Sequence, residues 1–227
     1  MPSGVVIQHQ TYFEGWETPP RASCAWFPEQ SGSPSHFHLG SEFQVLTEGT
    51  LELPDHTLVA PAVHYIDHCV PYGPFKAPEG NKMLILGPRQ AQRAMIYTNN
   101  EETASEAKRL VNRNGRTLVK SAAEVGWESF PDAHGGRRKV LLADGPGAEI
   151  VEGPAGMRYV PDPPAERGRF VVVLEGSVIV KGEKLGPRGV IYDEGDERPE
   201  PVMCGPNGAT FAVLRFDDDA LWDDAGV

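Results

Sequence analysis

The chain repeats itself, and that repeat limits the folds open to it more than any other feature. Phe170-Val-Val-Val-Leu-Glu-Gly-Ser177 echoes Phe43-Gln-Val-Leu-Thr-Glu-Gly-Thr50. With Gly49 laid on Gly176, the next residues, about forty of them, align almost without gaps. Tyr65 then falls on Tyr192, and Met83–Leu86 lies near Phe211–Leu214. Upstream, Trp127-Glu128-Ser129 echoes Trp16-Glu17-Thr18. Both copies read as short strands broken by turn residues, and 25 Gly and 21 Pro in 227 residues suit many turns rather than long helices. The expected fold class is all-β, with two units in tandem. Between them, Thr98–Gly115 reads as a helix, with an Asn near its start, acids in the first turn, bases in the last and Gly115 at its end. The expected domains are therefore 1–97, a helical linker over 98–118, and 119–227, ending in an acidic tail whose Leu221 and Trp222 dock on one of the two units.

The two copies differ in one chemically loaded stretch. His36-Phe37-His38-Leu39-Gly40-Ser41-Glu42 places two imidazoles and a carboxylate at positions of equal parity. On a continuous strand all three would leave one face of the sheet. Imidazole nitrogen and carboxylate oxygen suit Fe, Mn, Zn, Ni or Cu, and two histidines with one carboxylate is the ligand pattern of non-heme Fe(II) oxygenases. Gly40 leaves room on that face, and Gln44, the next residue of the same parity, is placed to support the ligands or to act on substrate. Phe43 and Val45, of opposite parity, would pack outward against another sheet or a partner subunit. In the second copy the corresponding positions are Pro163, Ala165 and Arg169, so one metal per chain is expected, in the first unit only.

The spacing HxH(x)3E(x)6G formed by His36, His38, Glu42 and Gly49 resembles the first motif of the cupin superfamily, although Gly32 lies closer to His36 than that motif's usual glycine. The stretch from Leu58 to Leu86 is similar to the second cupin motif, with Ala62 in place of its usual glycine and without its final histidine. It looks most like cupins related to the anti-sigma factor ChrR and to acetylacetone-cleaving and dihydroxyacetophenone-cleaving dioxygenases. In those a histidine before x-Pro and a downstream Glu-Gly begin the last strand; here Tyr72-Gly73-Pro74 and Glu79-Gly80 stand in those places. With the repeat, the whole chain resembles a bicupin: two tandem double-stranded β-helix, jelly-roll barrels joined by a short helix. Tyr72 takes the fourth-ligand position as a ligand, an acid, a base or a substrate anchor. A neutral phenol is a poor ligand, so His64, which shares a parity with His68 on the preceding strand, is the next candidate for the metal shell. His68 reads as a loop-end histidine with a satisfied hydrogen bond.

Thirty-two acidic against 21 basic residues give a formal charge of −11, with no basic cluster to track phosphates, so nucleic acid is not an expected partner. The three well-separated cysteines, Cys24, Cys69 and Cys204, fit free thiols of a reducing cytoplasm better than disulfides. No leader-like N-terminus and no long apolar run is present, so no membrane is expected. The resemblance implies a metal-dependent enzyme acting on a small organic molecule, as a non-heme iron dioxygenase and homodimer. Zn, Mn or Ni at the same place would instead give lyase or isomerase chemistry. A small-molecule or metal sensor without catalysis is the second class, and a structural or storage bicupin, which has no need of three ligands in phase, the third.

Overall fold

The structure, a computed structural model, describes residues 8–12, 20–88, 95–98, 100–110, 115–130, 135–161, 168–193 and 199–217. It is built almost wholly of antiparallel strands, and it divides after Ser121 into two units. The first contains β1 (Gln8–Thr11), β2 (Arg21–Phe27), β3 (Ser31–Ser33), β4 (His36–Phe37), β5 (Glu42–Glu52), β6 (Thr57–Val59), β7 (Ala62–Ile66), β8 (Phe75–Ala77), β9 (Asn81–Gly87), β10 (Ile96–Tyr97), α1 (Glu101–Leu110) and β11 (Thr117–Ser121). The second contains β12 (Glu128–Ser129), β13 (Arg137–Leu142), β14 (Gly147–Gly153), β15 (Arg158–Tyr159), β16 (Arg169–Val180), β17 (Glu183–Leu185), β18 (Val190–Asp193) and β19 (Val202–Arg215).

The repeat in the sequence is a repeat in strand pairing. The first unit's main sheet runs β1-β2-β9-β5-β7-β11, and the second unit's runs β12-β13-β14-β19-β16-β17 with β18 also on β16. The four strands β2, β9, β5 and β7 thus share a plan with β14, β19, β16 and β18. Phe43 sits between Tyr65 and Leu86, and Phe170 between Tyr192 and Leu214. The two aromatic pairs pack alike, tilted against each other with ring centroids 4.9 Å apart in the first unit and 4.8 Å in the second. Each long strand is broken at the same place by a register shift, between Leu46 and Glu48 and between Val173 and Glu175. The glycine that follows has positive φ in both, 79° at Gly49 and 71° at Gly176, and a Cβ there would strike the carbonyl oxygen of Gly80 or Gly208. Only glycine fits both demands.

Side-chain alternation along these strands builds the interiors. In the first unit Ala25, Phe27, Leu46, Leu51, Met83 and Ile85 form the apolar cluster, and in the second Val151, Val171, Val173, Val178, Phe211 and Val213 do so. Each fully buried Leu, Val, Phe or Met is worth roughly 1.5–3 kcal/mol against exposure. Phe43 and Val45 point to the opposite face, as their parity requires, but they are buried within the single chain and offer no outward apolar face to a second subunit.

The linker differs from its expected bounds. Asn100 caps α1 by accepting a hydrogen bond from the Thr103 amide at 2.9 Å, and the helix ends at Leu110. The chain then returns to the first unit, where β11 pairs with β7 from Thr117↔Ile66 to Ser121↔Ala62. Residues 117–121 therefore extend the first unit's sheet, and the second unit starts at Ala122 rather than at 119. All three cysteines are buried thiols. Among the described residues no helix is long and apolar enough to cross a membrane. The tail with Leu221 and Trp222, and the aromatic residues Phe13 and Trp16, lie outside the described residues.

Candidate metal centre

The three predicted ligands do not lie on one continuous strand. His36 belongs to the two-residue β4, the chain bends at Leu39 and Gly40, and Glu42 opens β5 in the main sheet. The bend carries the chain from one sheet to the other, so convergence comes from a corner and not from the parity of a single strand. Tyr72 is fastened opposite by backbone bonds in both directions, Tyr72 N–H to His36 O at 2.9 Å and His36 N–H to Tyr72 O at 3.1 Å.

Every predicted site residue meets at the Tyr72 hydroxyl or one step from it. Tyr72 Oη lies 2.8 Å from His36 Nε2 and 3.1 Å from His38 Nε2. It donates to Glu42 Oε1 at 3.1 Å and accepts from Gln44 Nε2 at 2.6 Å. Gln44 also donates to Glu42 Oε1 at 2.8 Å, and its Oε1 is 3.1 Å from His64 Nδ1. All six side chains are buried. His68 is not among them: it occupies the turn after β7, where its backbone amide bonds to Ser41 Oγ.

One participant, Arg21, escaped the sequence analysis. It donates to Glu42 Oε2 at 3.0 Å and lies 3.4 Å from His38 Nδ1. The available signal was its phase on β2, where Arg21 precedes Ser23, Ala25 and Phe27, the inward positions of an otherwise apolar strand.

The electrostatics follow from burial and from these partners. Burial lowers the pKa of His36, outweighing its bond to Pro34 O and the pull of Glu42, so its ring is neutral. The carbonyl of Pro34, 2.7 Å from Nδ1, can only accept; the proton therefore sits on Nδ1 and Nε2 presents a lone pair. Burial alone would raise the carboxyl of Glu42, but His38, Arg21, Gln44 and His36 together hold it below its ordinary value. Burial, followed by the neighbouring Glu42 charge, pushes the Tyr72 phenol well above its ordinary value, so it keeps its proton.

The spacings to the phenol oxygen are those that ligands of one divalent ion would have. Ligands about 2.1 Å from a common ion stand roughly 3.0 Å apart at right angles and roughly 3.4 Å apart at tetrahedral angles. The spacings here are 2.8, 3.1 and 3.1 Å to Tyr72 Oη and 3.6 Å between His38 Nε2 and Glu42 Oε1. Among the described residues no group of three His, Cys, Asp or Glu is by itself arranged to hold an ion, and the phenol oxygen is what links the set. His38 fits least well as it stands. The Arg21 guanidinium can only donate, so Nδ1 accepts and Nε2 carries the proton; ligation requires that proton to leave and the Arg21 contact to open.

No protein-family model matches the sequence, and no curated relative does. Among solved structures the chain is similar to a provisionally assigned dioxygenase from Nostoc punctiforme, at 13% identity and a TM-score of 0.65, over 100% of this chain and 89% of that one. It is also similar to an oxalate decarboxylase from Lactobacillus farciminis, at 9% identity and 0.62, over 95% and 85%. A third likeness is a bacterial pirin from Escherichia coli in complex with nickel(II), at 10% identity and 0.57, over 94% and 95%. This is the cupin fold.

The second unit keeps the frame and replaces these side chains. Arg169 opens β16 as Glu42 opens β5, Val171 takes the place of Gln44, and Ile191 that of His64. Arg169 is buried, lies 3.7 Å from Asp193 as an ion pair, and donates to Pro161 O. Pro163 and Ala165, aligned with the two histidines, lie outside the described residues.

Proposed function

We propose that the first cupin unit of this bicupin binds one divalent metal ion through His36 Nε2, His38 Nε2 and Glu42, with Tyr72 at the fourth place, and that it is a non-heme iron dioxygenase acting on a small organic molecule. The observation that carries this reading is the gathering of two imidazoles, a carboxylate and a phenol around one buried point. Supporting it, the same fold occurs in a nickel-bound pirin and in an oxalate decarboxylase of Bacillus subtilis with Mn(II) centres. Iron held there would supply the electron exchange with O2 that oxidative C–C cleavage needs, whereas Zn, Mn or Ni would supply a Lewis acid.

The chain's own groups have defined parts. Pro34 O fixes the His36 tautomer, and Arg21 and Gln44 hold the Glu42 carboxylate ionised and oriented. Tyr72 keeps a proton at Oη beside that carboxylate and can pass it to a substrate oxygen or carbon. That retained proton favours a second reading, a redox-neutral lyase or isomerase in which Tyr72 is the general acid. Metal analysis of protein purified without chelator, followed by oxygen uptake with diketones, phenols and hydroxy acids, separates the two. One equivalent of iron with oxygen consumption supports the dioxygenase; zinc, manganese or nickel without oxygen uptake supports the second reading. A protein that takes up none of these metals sinks both.

A further inference from the structure

His64 has one side of its ring accounted for and the other open. Gln44 Nε2 is committed to Glu42 and Tyr72, so Gln44 Oε1 faces His64 Nδ1 and makes that nitrogen the N–H donor. His64 Nε2 is therefore a bare lone pair. It is buried, the residue being 1% exposed, and it has no hydrogen-bond partner among the described residues. Across the sheet His64 lies between Gln44 on β5 and Val119 on β11, and Ile85 lies on the far side of Gln44, so the neighbouring strands place no second donor beside it. Its ring meets that of Tyr72 edge-on with centroids 5.3 Å apart, which puts it in the same interior as the candidate centre. An acceptor left unpaired in a buried interior is destabilising unless something donates to it.

We propose that His64 Nε2 is the hydrogen-bond acceptor for a hydroxyl group of the bound substrate, which assigns the site to small organic molecules carrying an O–H donor beside a metal-facing oxygen: catechols, enols or 2-hydroxy acids. The inference rests on the reading of the first unit as a small-molecule site, and Gln44 positions His64 for the task. A substrate lacking the hydroxyl leaves the nitrogen unpaired and binds more weakly.

The test titrates the full-length, metal-loaded chain with catechol and with 2-methoxyphenol by calorimetry, in the wild type and in His64→Phe. The wild type is expected to prefer catechol by roughly tenfold or more, and His64→Phe to bind the two within about twofold, at unchanged metal content. In parallel, the ¹⁵N resonance of His64 Nε2 in metal-free and zinc-loaded wild type should move on adding catechol and not on adding 1,2-dimethoxybenzene, which has no hydroxyl. That arm decides if His64→Phe does not fold. Equal preference in wild type and His64→Phe, no binding of either probe, or a nitrogen resonance that catechol leaves in place, as when water alone fills the position, would overturn the proposal. Metal content, read separately, reports on the metal assignment itself.

Discussion

Glu42 has four partners in the centre: Arg21 on one oxygen, Gln44 and Tyr72 on the other, and His38 at 3.6 Å. A buried carboxylate so paired is stable only while its partners keep their charge states. His64 sets the clearest pH dependence, its pKa lowered by burial to about 4 from an ordinary 6.5. Below pH 6.5 the unfolded chain takes up a proton that the folded chain refuses, so stability is full above that pH and is lost as the pH falls toward 4. The loss from this one group is about 3 kcal/mol by linkage. His36, also lowered, acts in the same direction, and Glu42 adds a loss at more acid pH, as its depressed carboxyl finally protonates. The urea midpoint of metal-free protein should therefore fall between pH 7 and pH 5, and His64→Phe should flatten that slope. Tyr72→Phe keeps the ring and removes the proton donor. It is expected to cost about 100-fold or more in turnover and to weaken metal binding, measured by steady-state rates and metal titration; a fully active Tyr72→Phe would remove the phenol from the chemistry.

Elements brought the site together in a way that residue spacing only half disclosed. The spacing of His36, His38 and Glu42 pointed to convergence, and the structure gathers them with Tyr72, Gln44 and His64. Strand parity was the wrong reason, because Leu39 and Gly40 bend the chain from one sheet to the next, and a bend leaves no periodic trace. The repeat was legible because Gly49 and Gly176 answer a backbone demand that only glycine meets, and because Phe43–Tyr65 and Phe170–Tyr192 fill the same niche twice. Arg21 was obscure because its partners come from β5 and the turn before it, and nothing near it in sequence marks them. At Gly49 or Gly176, Ala is expected to cost more than about 2 kcal/mol, combining left-handed backbone strain with a carbonyl clash. At Gly156, also at positive φ but with open space around it, Ala should cost only about 1 kcal/mol. Thermal melts of the three variants measure the difference.

For the molecule as a whole, the division after Ser121 decides where the chain can be cut. A fragment ending at Tyr97 lacks β11 and strands Asp67, a buried carboxylate that Arg116 holds with a bond from Nε at 3.0 Å and one from its own backbone amide at 2.8 Å. A fragment ending at Ser121 keeps both and should be more stable by at least about 3 kcal/mol, read from urea unfolding of the two fragments side by side. Every buried histidine among the described residues, His36, His38 and His64, lies in the first unit, while Val171 and Ile191 occupy the matching places of Gln44 and His64 in the second. Between pH 7 and pH 5, where histidine is the side chain that ordinarily titrates, acid thus acts on the first unit's described interior. Calorimetry at neutral pH and at pH 5 should show the first unit's heat absorption moving to lower temperature on acidification by more than the second unit's, so that the gap between the two melting points widens in acid.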